Sequence, residues 1–353
     1  MSTGKVAMVI GASGVTGAPL VEQLGLAGWK VYGVSRRAPQ ACAGPGAEFR
    51  HVPVDLADAA AARAAFATLA DVTHVFHCAN DARPQTRRAI IANALDAVEA
   101  AAPGYANINL MQGTKYYGSY LGPFKTPAKE TDPRVAGGDF YYTEEDLVIE
   151  RQRGRSWTWT AVRPTHVCGY APANPLNLAT VLAIYGSLLR ELGQPFGFPG
   201  SPACFAALIQ VIDAGLLARS AIWVSTAPGC GNKAFNVGNG DIFRWQHMWP
   251  ALARFFGLEP AGPQPYSLKE FLSDKLALWQ KLTRAHGLRP FPFERAPDWA
   301  QGSFSPPNSR LACEHDFISD TLRIRRSGFC EVLDSEQMFL DLFARFRREK
   351  LIP

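Results

Sequence analysis

Three glycines near the N-terminus constrain this chain more than any other feature. They lie in Gly11-Ala12-Ser13-Gly14-Val15-Thr16-Gly17, directly after an apolar stretch at 5–10 and before a helical pattern at 18–26. Such a loop needs one glycine for the tight turn, one for close approach of a pyrophosphate and one for packing of the helix. The N-terminus of that helix also favours a negative group. We therefore predict a dinucleotide site on Gly11, Ser13, Gly14, Val15, Thr16 and Gly17.

Strand and helix patterns alternate along the first half of the chain. The strand patterns cover residues 5–10, 31–34, 72–78, 106–112 and 157–167, and the helical patterns cover 18–26, 59–69, 84–101 and 141–152. Repeated alternation is typical of a doubly wound parallel sheet. The predicted fold class is α/β, with a Rossmann-type doubly wound parallel sheet and a smaller, mainly helical C-terminal substrate domain.

The end of the second strand bears on the choice of dinucleotide. Proteins that bind NAD place an acidic residue there, about 20 positions beyond the glycines, to accept hydrogen bonds from the ribose. In this chain the end of the second strand has Ser35-Arg36-Arg37 instead of an acidic residue. Guanidinium groups bind a 2′-phosphate through charge-assisted hydrogen bonds, whereas a carboxylate would repel it. We predict NADPH as the cofactor, with Asp55 and Leu56 near its adenine ring; a loop or cap role for Asp55 is the alternative.

The pattern changes after Gly169, where proline, glycine and aromatic residues become frequent and helical patterns dominate. We expect residues 1–169 to form an NADP-binding Rossmann domain, with returns of the chain at about 205–245. Residues 170–353 are expected to form a mainly helical substrate-binding region. One more strand is predicted at 235–237.

Composition and charge restrict the classes of partner. A formal charge of +5 without a block of like charges argues against nucleic acid. No stretch approaches the roughly 20 apolar residues of a membrane span, and the N-terminus lacks the apolar centre of a secretion signal. Seven scattered cysteines without a Cys-x-x-Cys pair do not fit a zinc site. We expect a cytoplasmic protein without metal; a homodimer is one of the states that the sequence leaves open.

The spacing around two adjacent tyrosines is unusual. Ordinary short-chain dehydrogenases place a tyrosine and a lysine four positions apart on one helix, where the lysine charge lowers the pKa of the phenol. Here Glu145 lies four positions beyond Tyr141, and Asp146 four beyond Tyr142. A catalytic lysine must therefore come from another part of the chain.

Further motifs are spread along the chain. They are Gly113-Thr114-Lys115-Tyr116-Tyr117, Leu121-Gly122-Pro123-Phe124, Asp139-Phe140-Tyr141-Tyr142 with Glu145-Asp146, Arg163-Pro164-Thr165, Phe196-Gly197-Phe198-Pro199-Gly200, Phe235-Asn236-Val237-Gly238-Asn239-Gly240-Asp241, Gly328-Phe329 and Ile352-Pro353. Together they resemble the progesterone 5β-reductase/iridoid synthase-like family of divergent extended short-chain dehydrogenases. That family has Gly-x-Lys-His-Tyr and Asn-Phe-Tyr-Tyr-x-x-Glu-Asp, so Tyr116 and Asp139 are departures. An apparent insertion at 118–120 resembles the bacterial or fungal branch.

The resemblance implies a reductase that transfers hydride from NADPH to the β-carbon of an α,β-unsaturated carbonyl. Its substrate would be a small hydrophobic enone or enal. Lys115 would supply positive charge, and a tyrosine would donate a hydrogen bond to the carbonyl oxygen as enolate charge develops. The family motif favours Tyr141 in this role, whereas alignment with ordinary relatives favours Tyr142.

The resemblance also implies residues around the two ligands. Tyr116 and Phe124 would line the substrate pocket. The residues expected at the nicotinamide end of the cofactor are Arg163, Pro164, His166 and Val167.

Two other functions are compatible with the same fold, because many activities share it. One is a carbonyl reductase or sugar-nucleotide-type extended dehydrogenase, which the missing tyrosine–lysine spacing argues against. The other is a noncatalytic NADP-binding sensor. Retention of Lys115 and the tyrosine pair argues against the sensor, since a sensor needs no enolate chemistry.

Overall fold

The computed structural model describes residues 4–38, 47–81, 83–137, 141–171, 177–264, 267–290, 292–298, 300 and 313–353. The motif residues Asp139 and Phe140 lie outside these ranges. No helix in the described ranges is long and apolar enough to cross a bilayer.

Seven parallel strands form the central sheet, in the order β11-β6-β5-β4-β1-β2-β3. The described strands are β1 Val6–Ile10, β2 Lys30–Ser35, β3 Phe49–Pro53, β4 His74–His77, β5 Asn107–Met111, β6 Thr158–Pro164, β7 His166–Cys168, β8 Phe196–Phe198, β9 Leu208–Ile209, β10 Val211–Asp213, β11 Lys233–Val237, β12 Phe243–Arg244 and β13 Pro260–Pro263. Strand β1 is buried along its whole length, as expected of a strand covered on both faces.

Helices cover both faces of this sheet. The described α-helices are α1 Gly17–Leu26, α2 Ala59–Phe66, α3 Pro84–Ala101, α4 Tyr142–Gln152, α5 Leu178–Leu192, α6 Pro202–Ala206, α7 Ala214–Thr226, α8 Trp245–Phe256, α9 Leu268–Ser273, α10 Leu276–His286, α11 Leu322–Arg326 and α12 Ser335–Arg348. Helices α2, α3 and α4 pack on one face, and α1, α7 and α11 on the other. The predicted Rossmann-type fold class is therefore confirmed.

Strand order sets where a ligand can bind. The chain leaves β1 toward β2 on one side and later returns to β4 on the other side of β1. In open parallel sheets this change of direction opens a crevice at the carboxyl ends of the strands. The glycine loop, the Ser35-Arg36-Arg37 turn and the segment after β5 all follow carboxyl ends. They consequently meet at one edge of the sheet.

Several elements differ from the sequence prediction. The predicted strand at 157–167 divides into β6 and β7, and β7 leaves the main sheet to pair with β10. Strand β3 was not predicted, because it is an edge strand in which only Val52 is buried. The strand predicted at 235–237 is β11, which extends the sheet beside β6.

A second core lies among the helices of the C-terminal half. Helices α5, α8, α10 and α12 contribute to one apolar cluster that includes Trp245, Trp249 and Phe339, each less than 2% exposed. Asn177 caps α5 by accepting a hydrogen bond from the Thr180 amide at 3.2 Å. Short two-stranded sheets, among them β8 with β13, also form part of this region.

Two histidines of β4 make the stability depend on pH. Burial lowers the pKa of His77 from 6.5 to about 4, and burial with the Lys5 charge lowers that of His74 to about 4. The unfolded chain therefore takes up protons between pH 6.5 and 4 that the folded chain excludes, so stability falls as the pH drops through this window. For His77 the loss should be on the order of 3 kcal/mol.

We expect urea unfolding at pH 7 and pH 5 to reveal about 2 kcal/mol of this loss for His77, and a His77→Leu variant to show a smaller difference between the two pH values. Phe76→Leu, in the same strand, serves as the control and should lower the free energy of unfolding equally at both. A His77→Leu protein with the wild-type pH dependence would contradict the prediction.

Candidate active site

The glycine loop is packed too closely for side chains at two positions. Gly11 has φ +85°, and a Cβ built on it would lie 2.8 Å from the Ala79 nitrogen. A Cβ on Gly17 would lie 2.1 Å from the Gly11 carbonyl oxygen. The intervening Ser13, Gly14, Val15 and Thr16 are partly exposed, and the Thr16 side chain makes no capping hydrogen bond to α1. The loop therefore offers backbone amides at a helix N-terminus, an arrangement that suits a pyrophosphate.

The Ser35-Arg36-Arg37 turn follows β2 at the same edge. Ser35 Oγ donates to the Arg37 carbonyl oxygen at 2.6 Å, and both arginines are exposed. His51 Nε2, from the neighbouring β3, lies 3.0 Å from the Ser35 carbonyl oxygen and 3.2 Å from Ser35 Oγ. His51 was absent from the sequence prediction, because only strand pairing brings it beside Ser35. This contact holds the turn that presents the two guanidinium groups.

Acidic groups lie beside this turn. A hydrogen bond from Arg83, helped by the Arg36 charge, lowers the pKa of Asp81 to about 2. Asp55 is exposed, and its Oδ1 accepts from the Ala57 amide at 3.0 Å, which is the loop role given above as its alternative. The Leu56 side chain is 4% exposed and belongs to the core, so only its backbone is available to a ligand.

The segment after β5 brings Lys115 to the sheet edge. A short 3-10 turn, Thr114–Tyr117, follows Gly113 and ends at Gly118, whose φ is +77°. Thr114, Tyr116 and Tyr117 are buried, whereas Lys115 is only partly so. These buried side chains anchor the turn in the protein interior. Lys115 lies just beyond the carboxyl end of β5, a central strand of the sheet.

Tyr141 lies against this segment. Its Oη is 3.5 Å from the place that a Cβ would take on Gly113, two positions before Lys115. The same place is 3.7 Å from the Pro164 carbonyl oxygen, at the end of β6. Tyr141 is the N-cap of α4 and has φ +75°, a conformation that bulky side chains rarely adopt. Such strained residues are concentrated at functional sites.

Tyr142 has a different environment. Its hydroxyl donates to the Tyr116 carbonyl oxygen at 2.6 Å and accepts from the Val135 amide at 3.0 Å. The residue is 8% exposed, and its ring packs edge-on against that of Tyr116 with centroids 4.8 Å apart. The Tyr142 hydroxyl therefore links the loop that contains Val135 to the turn that contains Tyr116.

Arg163 occupies the protein interior. It is 2% exposed, and its guanidinium lies 3.3 Å from the Tyr116 ring centroid. It donates to Gln112 Oε1 at 2.8 Å and to Glu145 Oε2 at 3.0 Å. Because these donors are used inside the protein, we exclude the Arg163 side chain from the cofactor contacts expected from the sequence.

The predicted pocket residue Tyr116 belongs to the same interior group. It is 6% exposed, and its hydroxyl donates to Glu145 Oε1 at 2.8 Å. Burial raises the pKa of Tyr116, although the Arg163 charge opposes this. We therefore remove Tyr116 from the pocket and regard it as a support for the turn that contains Lys115.

Three aromatic residues from distant parts of the chain form one cluster. The Phe124 ring lies 5.1 Å from that of Phe317, and the Phe317 ring lies 4.3 Å from the imidazole of His166. Phe124 and Tyr141 pack against the same buried tyrosine cluster. We call Phe124, His166 and Phe317 the aromatic wall. Phe317 was absent from the sequence prediction, because no local motif relates it to Phe124.

Two other features of the described residues bear on the site. No group of three or more histidine, cysteine, aspartate or glutamate side chains in the described ranges could hold a metal ion. A cleft of about 580 Å³ lies among the C-terminal helices, lined by Tyr185, Leu189, Leu192, Gln194, Pro195, Gln264, Phe271 and Lys275. It shares no residue with the glycine loop, the Lys115 segment or the aromatic wall, so we do not include it in the site.

Known proteins are similar to this chain over nearly its whole length. The chain is 30% identical over 371 residues to an (S)-8-oxocitronellyl enol synthase of Nepeta cataria, covering 99% of this chain and 92% of the relative. It is 29% identical to a 3-oxo-Delta(4,5)-steroid 5-beta-reductase of Arabidopsis thaliana, covering 99% and 93%. A short chain dehydrogenase of Penicillium aethiopicum is 32% identical, with 99% of each chain covered.

Solved structures give the same fold at lower identity. UDP-glucose 4-epimerase of Thermus thermophilus in complex with NAD has a TM-score of 0.66 at 18% identity, covering 97% of this chain and 99% of its own. The corresponding enzyme of Thermotoga maritima with UDP-glucose has a TM-score of 0.67 at 16% identity, covering 97% and 99%. At these identities the likeness concerns the fold alone.

Family comparison covers nearly the whole chain. Residues 7–102 match the NAD dependent epimerase/dehydratase family. Residues 55–353 match the family described as PRISE-like Rossmann-fold domain, and this longer match includes Lys115, Tyr141 and the aromatic wall. The full-length relatives named above, an enol synthase and a steroid 5β-reductase among them, agree with that match. The chain is therefore a member of the PRISE-like Rossmann-fold family, the progesterone 5β-reductase/iridoid synthase-like branch of the extended short-chain dehydrogenases.

Proposed function

We propose that this protein is an NADPH-dependent reductase that transfers hydride to the β-carbon of an α,β-unsaturated carbonyl. The main support is the Tyr141 phenol, whose Oη lies 3.5 Å from the Cβ position of Gly113 at the edge where Lys115 stands. A hydrogen-bond donor beside a cation suits an oxygen that gains negative charge.

The relatives support the same reaction class. One is named a short chain dehydrogenase, and another is named a reductase of a steroid that has a 3-oxo group and a 4,5 double bond. The match to an NAD dependent family supports a nicotinamide cofactor. The choice of NADPH and of an enone or enal substrate is our proposal.

The glycine loop fits the cofactor pyrophosphate, since its tight packing around Gly11 and Gly17 presents backbone amides at the N-terminus of α1. Arg36 and Arg37 are exposed at the end of β2 and suit the 2′-phosphate. Pro164 ends β6, and His166 and Val167 begin β7 near the proposed nicotinamide end. When bound, NADPH supplies the hydride, and a proton from solvent at the α-carbon completes the saturated carbonyl product.

The protein's own groups bind and polarise the substrate. The Tyr141 hydroxyl donates a hydrogen bond to the carbonyl oxygen, and the Lys115 ammonium favours the negative charge that develops there. Phe124, the partly exposed residue of the aromatic wall, supplies an apolar surface for the carbon skeleton, and the buried Phe317 and His166 complete the wall behind it. This apolar surface reduces the access of water, which strengthens both polar interactions. Tyr142 is left out of this role because both hydrogen bonds of its hydroxyl are made to backbone groups.

The reaction class is tested by following NADPH absorbance with small and bulky enones, enals, ketones and sugar nucleotides, and by identifying the products. We expect saturated carbonyl compounds from the enones or enals. An allylic alcohol as the product would indicate carbonyl reduction instead. A protein that binds NADPH but reduces none of these compounds would favour the sensor alternative.

Cofactor choice is tested by replacing Arg36 and Arg37 together with alanine. We expect the Kd for NADPH to rise about 10- to 100-fold while that for NADH changes by less than about twofold, because the loss of one charged hydrogen bond costs about 1.5–3 kcal/mol. Fluorescence titration measures both constants. Arg63→Ala, an exposed arginine of α2, is the control and should change neither. Equal wild-type affinity for NADPH and NADH would contradict the assignment.

The role of the phenol is tested by Tyr141→Phe. We expect kcat to fall about 10²- to 10³-fold, as for the loss of one oxyanion donor, with the Kd for NADPH nearly unchanged. Tyr142→Phe is the matched variant; it should lower the Tm, because two backbone groups lose a partner, while the folded enzyme keeps most of its kcat. The reverse pattern would assign the role to Tyr142.

Lys115→Met removes the charge but keeps a long apolar side chain. We expect steady-state kcat to fall about 10- to 100-fold, with a smaller loss for Lys115→Arg, which stays charged. Lys269→Met, at an exposed position on α9, is the control for the loss of a surface lysine. Wild-type kcat in Lys115→Met would remove Lys115 from the mechanism.

A further inference from the structure

We propose that Glu145 is a positioning residue that holds the Tyr141 phenol beside the Lys115 segment, acting from one helical turn away. The proposal rests on the proposed role of Tyr141 in the reaction. It assigns no proton transfer to Glu145.

Glu145 is buried and fully hydrogen-bonded. It is 4% exposed. Its Oε1 accepts from Tyr116 Oη at 2.8 Å and from an Arg134 nitrogen at 3.1 Å. Its Oε2 accepts from Gln112 Nε2 at 2.9 Å and from an Arg163 nitrogen at 3.0 Å. Although burial alone would raise it, the Arg163 charge and these donors hold the pKa of Glu145 below its ordinary value, so the carboxylate stays ionised.

The donors connect α4 to the segment that the proposed chemistry uses. Gln112 and Tyr116 stand on either side of residues 113–115, and both donate to Glu145. Arg163 ties the same carboxylate to β6, and it also donates to Gln112. One side chain of α4 therefore contacts both ends of the Lys115 segment.

Tyr141 is joined directly to this arrangement. The Glu145 amide donates to the Tyr141 carbonyl oxygen at 3.1 Å, which forms the first turn of α4. Tyr141 keeps φ +75°, a costly conformation that persists only when the surrounding structure imposes it. Fixing Glu145 from several sides imposes that constraint on the start of the helix.

The adjacent Glu144 provides an internal comparison. It is also buried, at 6% exposed, and accepts from Arg87 Nε at 2.5 Å. Arg87 belongs to α3, so this pair joins two helices on one face of the sheet. Both carboxylates stabilise the first turn of α4, but it is Glu145 whose donors, Gln112 and Tyr116, flank the Lys115 segment.

The position of Glu145 also explains the unusual tyrosine spacing. It lies four positions after Tyr141, which is the spacing that separates tyrosine and lysine in ordinary short-chain dehydrogenases. Here the side chain turns inward to Arg163 instead of outward to a ligand. Glu145 therefore serves as a structural support of the first turn of α4, while Lys115, the cation of the site, lies on another element.

The test compares Glu145→Gln with Glu144→Gln in the full-length protein. Glu145→Gln is expected to lower kcat at least tenfold with the Kd for NADPH within about twofold. It should also shift the ¹³Cζ resonance of Tyr141, assigned by its disappearance in Tyr141→Phe. Glu144→Gln is expected to lower the Tm but to keep the wild-type kcat and Tyr141 resonance at temperatures where it is folded.

Equal effects of the two variants on kcat and on the resonance, or no effect of Glu145→Gln on either, would overturn the proposal. If Glu145→Gln does not fold, Glu145→Asp replaces it, since this variant keeps the charge but shortens its reach. A lower kcat and a shifted resonance are then expected, and wild-type values would overturn the proposal.

The resonance separates this inference from the proposed function. If the wild-type protein reduces no enone or enal, the proposed function fails, while the Tyr141 resonance still reports whether Glu145 positions the phenol. If the wild-type protein is active and the resonance is the same in Glu145→Gln, the positioning role fails alone.

Discussion

The structure around the candidate site depends on one buried charge, the guanidinium of Arg163. A guanidinium stays protonated in a protein, so an arginine that is 2% exposed requires an anion and several acceptors close by. Glu145 supplies the anion at 3.0 Å, and Gln112 and Tyr117 supply acceptors at 2.8 and 3.2 Å. These partners come from α4, the end of β5 and the turn after it. Satisfying one charge thus fixes the three elements that bring Lys115 and Tyr141 to the same edge.

The hydrogen bonds around Arg163 continue through Tyr117 toward the C-terminal part of the chain. Tyr117 Oη donates to Asn236 Oδ1 at 2.5 Å, and Asn236 Nδ2 donates to the carbonyl oxygens of Ala128 and Asp320. Strand β11 and the loops at 128 and 320 are therefore connected to the turn that contains Lys115. Fully satisfied polar networks of this kind rigidify a core, and a partly satisfied one would be costly. The shape of the glycine loop at 11–17 depends instead on the close packing of backbone atoms around Gly11 and Gly17.

The sequence was sufficient to predict the parts that depend on local chemistry. Glycine spacing predicted the loop at 11–17, and alternation of strands and helices predicted the sheet, because both signals lie within short segments. Arg163 was placed at the cofactor because a motif gives the position of a residue but not the direction of its side chain. His51 and Phe317 were missed for a related reason: their partners, Ser35 and Phe124, are close in space through strand pairing and chain return. The difference between Tyr141 and Tyr142 likewise depends on the backbone at one residue, whose φ of +75° no propensity predicts.

These observations also explain why a distributed tyrosine–lysine pair needs more support than a pair on one helix. When both residues lie four positions apart on a helix, the helical geometry itself sets their separation. When the lysine follows β5 and the tyrosine begins α4, the separation depends on how the helix packs against the strand. Small shifts of packing then change the distance between the two groups, and catalytic geometry tolerates little error. A buried carboxylate that binds both flanks of the lysine segment makes this distance less variable, and Glu145 meets that requirement because Gln112 and Tyr116 both donate to it.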